Sequence, residues 1–159
     1  MKNNIGYKLS RSPDDKGDGV YATQRFHENE VVMIGSIQED NVEQNHSHAS
    51  QMGEFHHALH AGLISKVNHS CCPNCGIKVN ETGAHDFVAM KTIEIGDEIT
   101  FDYAMRNYRI EYFPKDCCCG SENCRGSITG WKDLSESTKT DYAGFVAPYL
   151  LEIDQKKQN

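Results

Sequence analysis

Cysteine is concentrated in two short stretches of this chain, and its spacing in the second stretch is typical of metal binding. Residues 117–126 read CCCGSENCRG, so that Cys117, Cys119 and Cys124 follow the spacing CxCx4C. Three thiolates on one short loop can converge on a single ion, and Gly120 permits a tight reversal of the chain. Because Zn²⁺ in a closed structural site takes four ligands, the pattern predicts a zinc site whose fourth ligand lies elsewhere in the sequence.

The other stretch, NHSCCPNC at residues 68–75, is where the fourth ligand is expected. By spacing alone, Cys72 and Cys75 form a CxxC pair like that of an ordinary zinc knuckle, and the residues themselves do not exclude it. The seven cysteines of the chain are odd in number and clustered, unlike a disulfide framework. The alternative, that they are only small buried apolar residues, explains the density of the two clusters poorly.

Histidine is also clustered, since five of the eight lie between His46 and His60. His56 and His60 are four positions apart, which on a helix would place both on one face. The glutamate of an HExxH motif is missing and no third ligand is evident, so a second metal site is not expected. The segment is interpreted as a solvated helix face.

The elements that position these residues are predicted to be mostly short strands. Strand-like runs occur at 7–10, 20–23, 31–37, 76–79 and 87–90, and the segment EITFDY follows a turn at Gly96 and Asp97. Residues 38–53 are polar and poorly periodic and are predicted to form a surface loop, and residues 54–62 a short helix. The tail from Asp133 to Ile153 has the apolar spacing of a helix interrupted at Pro148. The predicted fold class is mainly β, of the α+β type, in one domain.

Composition favours a soluble intracellular domain. The 159 residues can bury a core without disulfides, and no stretch approaches the roughly 20 apolar residues of a membrane span. The N-terminal sequence lacks the apolar segment of a signal peptide. The net charge is −7 and the lysines and arginines are scattered, which argues against direct nucleic-acid binding and favours a basic partner.

Four segments, in this order, resemble the SET-domain protein-lysine methyltransferases that carry a post-SET zinc motif. They are GDGVYA at 17–22, NHSCCPN at 68–74, GDEITFDY at 96–103 and CCCGSENCRG. The resemblance covers about residues 5–130 and implies a SET domain over 5–112, a post-SET zinc motif over 113–130 and a helical tail over 131–159 that no motif assigns. It implies a β-clip of small curved sheets with a pseudoknot, in which the FDY segment passes beside the NHS segment.

The resemblance also implies the ligands of one structural zinc ion per chain. In that family the fourth ligand is the cysteine that follows Asn-His-Ser, which is Cys71 here. The implied ligands are therefore Cys71, Cys117, Cys119 and Cys124. Cys72, Cys75 and Cys118 are then spare.

The activity implied is transfer of a methyl group from S-adenosylmethionine to the ε-amine of a protein lysine. Tyr103 is the implied catalytic residue, because its hydroxyl would lie near the transferring methyl group. Phe101 matches the family position at which phenylalanine leaves room for an already methylated amine, so di- or trimethylation is expected. The residues implied in cofactor binding are Lys16, Gly17, Asp18, Gly19, Asn68 and His69.

The expected partner is a lysine-bearing, basic protein or peptide, bound by a monomer without nucleic acid or membrane. The implied location is the cytoplasm in a bacterium and the nucleus or cytoplasm in a eukaryote. Two alternatives are a non-catalytic SET-like binding module and a nucleic-acid-binding zinc module. Intact Asn68, His69 and Tyr103 favour the enzyme, and the scattered charges disfavour the nucleic-acid binder.

Overall fold

The computed structural model describes residues 5–13, 17–42, 49–111 and 116–159. The strands are β1 (Tyr7–Arg11), β2 (Asp18–Ala22), β3 (Val31–Met33), β4 (Ile37–Glu39), β5 (Ser50–Gly53), β6 (His56–His60), β7 (Asn68–His69), β8 (Cys75–Val79), β9 (His85–Ala89) and β10 (Thr100–Phe101). The α-helices are α1 (Glu136–Asp141) and α2 (Pro148–Gln158). Short 3-10 helices span Gly62–Lys66, Tyr103–Met105 and Trp131–Asp133.

The described strands form four small sheets. β1 pairs with β2, β9 lies between β3 and β8, and β6 lies between β4 and β5. The fourth sheet is the parallel pair of β7 and β10, which brings the NHS segment beside the FDY segment. Small sheets with few helices confirm the mainly β fold class. Among the described residues, no helix is both long and apolar enough to cross a membrane.

Most of the predicted strands are confirmed, with ends that differ by up to two residues. Those at 7–10, 20–23, 76–79 and 87–90 correspond to β1, β2, β8 and β9. The run at 31–37 is divided into β3 and the start of β4, which belong to different sheets. The segment EITFDY contributes only Thr100–Phe101 as a strand, because the chain turns into a 3-10 helix at Tyr103.

Two predictions for the middle of the chain are wrong. The loop predicted over 38–53 contains most of β4 and all of β5, although residues 43–48, with His46, lie outside the described residues. The helix predicted over 54–62 is β6, so no solvated helix face exists there. In β6, Ala58 and His60 are buried, whereas Leu59 between them is partly exposed. This period of two escapes sequence analysis because the inward positions hold alanine and histidine, not large apolar residues.

The C-terminal tail packs into the same core as the sheets. Trp131, Leu134, Tyr142, Leu150 and Ile153 are buried in one cluster with core side chains such as those of β8 and β9. The tail is helical as predicted, but it consists of two helices, and the predicted interruption is where Pro148 begins α2. Proline suits the first turn of a helix because the N–H that it lacks has no helical partner there.

One carboxylate of α2 joins the parts of the tail to one another and, through Tyr108, to the rest of the molecule. Asp154 of α2 accepts hydrogen bonds from the indole Nε1 of Trp131 at 2.7 Å and from the Tyr108 hydroxyl at 3.0 Å. Lys139 pairs with the same carboxylate at 3.2 Å. Burial raises the pKa of Asp154 and these three donors lower it, with the net result that its pKa lies below the usual value. The tail is therefore held by polar contacts as well as by its apolar side chains.

Two buried histidines lie where β6 approaches β9. The Nε2 atom of His60 accepts a hydrogen bond from the backbone N–H of His85 at 2.9 Å, so the imidazole proton is on Nδ1, 3.0 Å from Ser50 Oγ. The two imidazole rings lie 5.1 Å apart. Burial, and to a smaller degree the charge of Arg106, lowers the pKa of His60 to about 3. Burial, followed by the charges of Arg106 and of His60, lowers the pKa of His85 well below its ordinary value.

These histidines are predicted to make the fold acid-sensitive. The unfolded chain binds a proton at His60 near its ordinary pKa of 6.5, whereas the folded protein does so only near pH 3, so stability falls as pH drops below 6.5. His60 alone should lower the free energy of unfolding by about 2 kcal/mol between pH 7 and pH 5. Urea denaturation at the two pH values measures the loss.

His60→Gln should be less stable than wild type at pH 7 but should lose less stability on acidification. His27→Gln, which removes an exposed histidine, is the matched control and should lose as much as wild type. Equal losses in wild type and His60→Gln would contradict the prediction.

Candidate active site and metal centre

The site is organised by the parallel pairing of β7 with β10. Thr100 pairs with Asn68 and Phe101 with His69, and the N–H of Ser70 donates to the carbonyl of Phe101 at 3.0 Å. A two-residue parallel pair is weak by itself and persists here because both segments are held by the surrounding core. It places the polar residues of the NHS segment directly beside the segment that carries Tyr103.

A cleft of about 310 Å³ opens next to this pair. Its walls include Asn68, His69, Glu98 and Tyr103, and the cysteine loop at 117–119 closes one side. Phe101 does not reach this surface: it is fully buried, with its ring centroid 5.0 Å from that of Tyr103 and 4.6 Å from that of Phe87. The predicted strand EITFDY would carry both Phe101 and Tyr103, but β10 ends at Phe101. The two rings are nevertheless adjacent.

The GDG turn lies against Asn68. The Asn68 amide donates to the backbone carbonyl of Asp18 at 2.8 Å and to Glu98 Oε1 at 2.9 Å. A Cβ atom at Gly19 would lie 2.5 Å from that Glu98 oxygen, so a side chain at position 19 would displace the Glu98 carboxylate from its present position. Gly17 has a φ of +89°, a conformation that favours glycine. Lys16, also predicted to hold the cofactor, lies outside the described residues.

His69 bridges the cleft to the cysteines. Its Nδ1 accepts a hydrogen bond from the N–H of Tyr103 at 3.2 Å, so the imidazole proton is on Nε2, which lies 3.4 Å from Cys71 Sγ. Burial lowers the pKa of His69 to about 4. The charge of Asp102 raises this pKa, and the charge of Arg125 lowers it, but both effects are smaller than that of burial. The ring is therefore neutral at pH 7 and its tautomer is fixed by these two contacts.

Tyr103 is placed by the 3-10 helix that it begins. The Asp102 side chain caps this helix by accepting a hydrogen bond from the N–H of Ala104 at 3.0 Å. The Tyr103 ring meets that of His69 edge to face at 5.2 Å, and its hydroxyl lies 3.4 Å from the carbonyl of Val67. Burial raises the pKa of Tyr103, so its hydroxyl stays protonated at neutral pH.

Asp102 is the central residue that sequence analysis missed. It is fully buried, and its carboxylate is paired in a fork with Arg125, at 2.6 and 3.0 Å. It also accepts a hydrogen bond from the Tyr142 hydroxyl at 2.8 Å. The positions of Asp102 inside FDY and of Arg125 directly after Cys124 could have suggested the pair, whereas nothing in the sequence points to Tyr142. Glu98 was also missed, although it belongs to the GDEITFDY segment.

Four cysteine sulfurs converge beside His69. The Sγ atoms of Cys71, Cys117, Cys119 and Cys124 all lie within 4.8 Å of one another, and those of Cys71 and Cys117 are 3.9 Å apart. In a tetrahedral Zn²⁺ site with bonds of about 2.3 Å, the sulfurs are separated by roughly 3.8 Å, so the cluster has the size and the donor type that zinc prefers. Backbone N–H groups of Arg125 and Gly126 point at Cys71 and Cys124 Sγ, each at 3.4 Å.

The spare cysteines lie outside this cluster. Cys72 and Cys118 are exposed, and Cys75 is buried in β8, where burial raises the pKa of its thiol to about 12. Within the cluster, burial raises the pKa of Cys119, but hydrogen bonds from Ser121 and neighbouring groups outweigh it and lower the value to about 6. The geometry thus gathers Cys71 with the CxCx4C loop and leaves the CxxC pair apart.

Comparison with known proteins identifies the family of this domain. The family model described as SET domain matches residues 17–104. Histone-lysine N-methyltransferase ATXR3 of Arabidopsis thaliana is 43% identical over 105 residues, which are 61% of this chain and 4% of the relative. A histone-lysine N-methyltransferase of Aspergillus fumigatus described as H3 lysine-36 specific is 33% identical over 64% of this chain and 11% of its own length.

Histone-lysine N-methyltransferase mes-4 of Caenorhabditis elegans is 34% identical over 71% of this chain and 16% of the relative. The chain therefore spans only a small part of these relatives. A crystal structure described as a candidate histone methyltransferase of Plasmodium falciparum superposes with a TM-score of 0.51 and 20% identity, covering 60% of this chain and 90% of that one. At this identity the superposition supports the fold alone.

The cysteine cluster is predicted to hold one Zn²⁺ per chain. Cys71→Ser and Cys117→Ser each remove one thiolate and should reduce the bound zinc, measured by elemental analysis after dialysis, to well below one ion per chain. Cys72→Ser and Cys118→Ser alter exposed neighbours of these ligands and are the matched controls, which should keep the full ion. Full zinc in Cys71→Ser together with its loss in Cys72→Ser would show that the ligand set is wrong.

Proposed function

We propose that this chain, which belongs to the SET-domain family, is an S-adenosylmethionine-dependent protein-lysine N-methyltransferase. The observation that carries the proposal is the cleft in which Asn68, His69 and Tyr103 are brought together by the pairing of β7 with β10. Tyr103 lies 34 positions after His69 in the chain, and all three residues match family motifs. The proposal concerns the activity of the domain that this chain contains.

The cofactor would be held between the GDG turn and the wall formed by Asn68 and His69. The backbone groups that hold it would come from Gly17, Asp18 and Gly19. Because Gly19 has no side chain, Asn68 and Glu98 can lie against the turn and bond to each other there. When bound, S-adenosylmethionine supplies a methyl group on a positively charged sulfur. The Glu98 carboxylate lines the cleft and would favour a cationic ligand there. The residues present therefore fit this cofactor.

Tyr103 is proposed to orient the reacting groups. Its hydroxyl is protonated at neutral pH and can present both a donor and an acceptor to the groups that meet in the cleft. The His69 imidazole fixes the backbone of Tyr103 through the bond to its N–H. The lysine ε-amine must be neutral to accept a methyl group, and a partly buried site lowers the pKa of a lysine by disfavouring the cation. Methyl transfer then depends chiefly on alignment.

Zinc is proposed to be structural. Cys71, Cys117, Cys119 and Cys124 would all act as its ligands, which leaves no open position for a reacting group. Three of them belong to the loop at 117–126, part of which walls the cleft. The ion would hold this loop against the NHS segment and would contribute to the shape of the cleft only indirectly.

The proposed substrate is a histone or another basic protein. The relatives described as histone-lysine N-methyltransferases and the net charge of −7 support a basic partner. An intracellular location, nuclear or cytoplasmic in a eukaryote, follows from that substrate class. We further propose a monomer that does not bind nucleic acid directly.

The first test of this function is Tyr103→Phe. The change removes one hydroxyl at nearly constant volume, so the variant should fold and should bind S-adenosylmethionine in calorimetry as wild type does. Transfer of labelled methyl groups to mixed histones should fall roughly a hundredfold or more, because a group positioned at the reaction centre is lost.

Tyr108→Phe removes a hydroxyl that is bonded to Asp154 and belongs to a residue that does not line the cleft, and should retain transfer in the same assay. Undiminished transfer by Tyr103→Phe contradicts the role of this residue. A wild-type protein that is folded and zinc-loaded but binds no S-adenosylmethionine would favour the non-catalytic binding module.

Phe101 is proposed to permit di- or trimethylation. Its side chain is buried next to those of Tyr103 and Phe87. The guanidinium of Arg106 lies 4.7 Å from the Phe101 ring centroid. Phe101→Tyr lengthens this side chain by a hydroxyl, which is proposed to extend from behind the Tyr103 ring to the substrate amine or to a water beside it, and thereby to restrict rotation of a methylated lysine.

Mass spectra of one lysine peptide should therefore shift from di- or trimethylated product in wild type towards monomethyl-lysine in Phe101→Tyr. Phe87→Tyr adds the same hydroxyl one ring away and should leave the product distribution of wild type. An unchanged distribution in Phe101→Tyr would show that position 101 does not select the product.

A further inference from the structure

The C-terminal tail reaches the centre of the candidate site through one hydroxyl. Tyr142 follows α1 directly, and its side chain is buried. The hydroxyl donates to Asp102 Oδ2 at 2.8 Å and lies 3.5 Å from the backbone carbonyl of Cys71. Burial, and then the charge of Asp102, raises the pKa of Tyr142, so the hydroxyl remains a donor over the physiological range.

The Asp102 carboxylate that accepts this hydrogen bond also positions the backbone of Tyr103. Its Oδ1 atom accepts from the N–H of Ala104 and thereby starts the 3-10 helix at Tyr103. The same oxygen lies 3.5 Å from His69 Nδ1, whose other contact is the N–H of Tyr103. A change in the position of this carboxylate would therefore be transmitted to the Tyr103 ring.

The carboxylate also controls the cysteine loop. Arg125 directly follows Cys124, and its guanidinium donates a hydrogen bond to each carboxylate oxygen of Asp102. Its backbone N–H points at Cys71 Sγ. Burial opposes the charge of Arg125, but the hydrogen bonds and charge of Asp102 outweigh it and raise its pKa, so the guanidinium stays charged. The loop that walls the cleft and the helix that carries Tyr103 thus share one anchor.

We infer that Tyr142 is a positioning residue for methyl transfer. It does not line the cleft, and it acts by holding the Asp102 carboxylate in the orientation that serves Tyr103 on one side and Arg125 on the other. The tail is by this inference a part of the active structure. The inference deepens the proposed function and rests on it for its effect on turnover.

The test is Tyr142→Phe, which deletes the hydroxyl and keeps the ring that packs in the core. The variant should keep its zinc and its affinity for S-adenosylmethionine, while kcat should fall roughly tenfold or more with KM for the peptide changed less than about twofold. In ¹H–¹⁵N spectra, the backbone amide resonances of Tyr103 and Ala104 should move.

The matched control is Tyr108→Phe. Tyr108 is another buried tyrosine whose hydroxyl donates to an aspartate, Asp154, at 3.0 Å, and it also holds the tail on the core. It has no contact with Asp102 among those described. The control should lose stability but should keep the wild-type kcat and the wild-type amide resonances of Tyr103 and Ala104.

The inference is overturned if Tyr142→Phe keeps the wild-type kcat and amide resonances, or if Tyr108→Phe loses kcat equally. A Tyr142→Phe protein that fails to fold or to hold zinc also overturns it, because the role would then be merely structural. If wild type transfers no methyl groups, the proposed function fails, and the amide resonances alone decide whether Tyr142 positions the Tyr103 segment.

Discussion

The buried carboxylate of Asp102 is the constraint on which the site depends. An ionised group without solvent costs several kcal/mol unless it is paired and hydrogen-bonded. Here the Asp102 carboxylate accepts hydrogen bonds from the guanidinium of Arg125, the hydroxyl of Tyr142 and the N–H of Ala104. The chain must therefore bring the FDY segment, the cysteine loop and the tail to one point. Their common partner fixes the relative positions of these three segments.

The sheets alone would not hold such a site. Strands of two to five residues in sheets of two or three have little independent stability. The core joins them to the tail: Trp131, Leu150 and Ile153 lie in the same apolar cluster as Phe87 and Phe101. Gly76 of β8 lies directly against Phe145 of the tail. A Cβ atom at position 76 would lie 2.3 Å from Cβ of Phe145, so the absence of a side chain allows this contact. Burial of the tail thus stabilises the strands that carry the site.

Residues that are not expected to be metal ligands contact the sulfurs of the cysteine cluster. The Cys71 sulfur has contacts besides any metal with His69 Nε2 of its own segment and with the N–H of Arg125, which belongs to the loop. Burial raises the pKa of the Cys71 thiol to about 11, and the hydrogen bond from the N–H of Arg125 opposes that rise. The contacts that orient His69 towards Tyr103 are thus continuous with those around the cysteines, so the cleft and the metal centre form one polar network.

The sequence by itself determined the chemical parts of the protein, and the tertiary structure decided which of them meet. CxCx4C, GDG, NHS and FDY are local patterns, so their residues and most strands next to them could be read directly. Spacing could not choose between Cys71 and the CxxC pair, because the choice depends on where β8 buries Cys75. The strand β6 was mistaken for a helix because its buried positions are occupied by Ala58 and His60, whose burial only the packed fold requires. Tyr142 could not be found at all, since its partner Asp102 is forty positions away and a hydrogen bond across that separation leaves no periodicity in the chain.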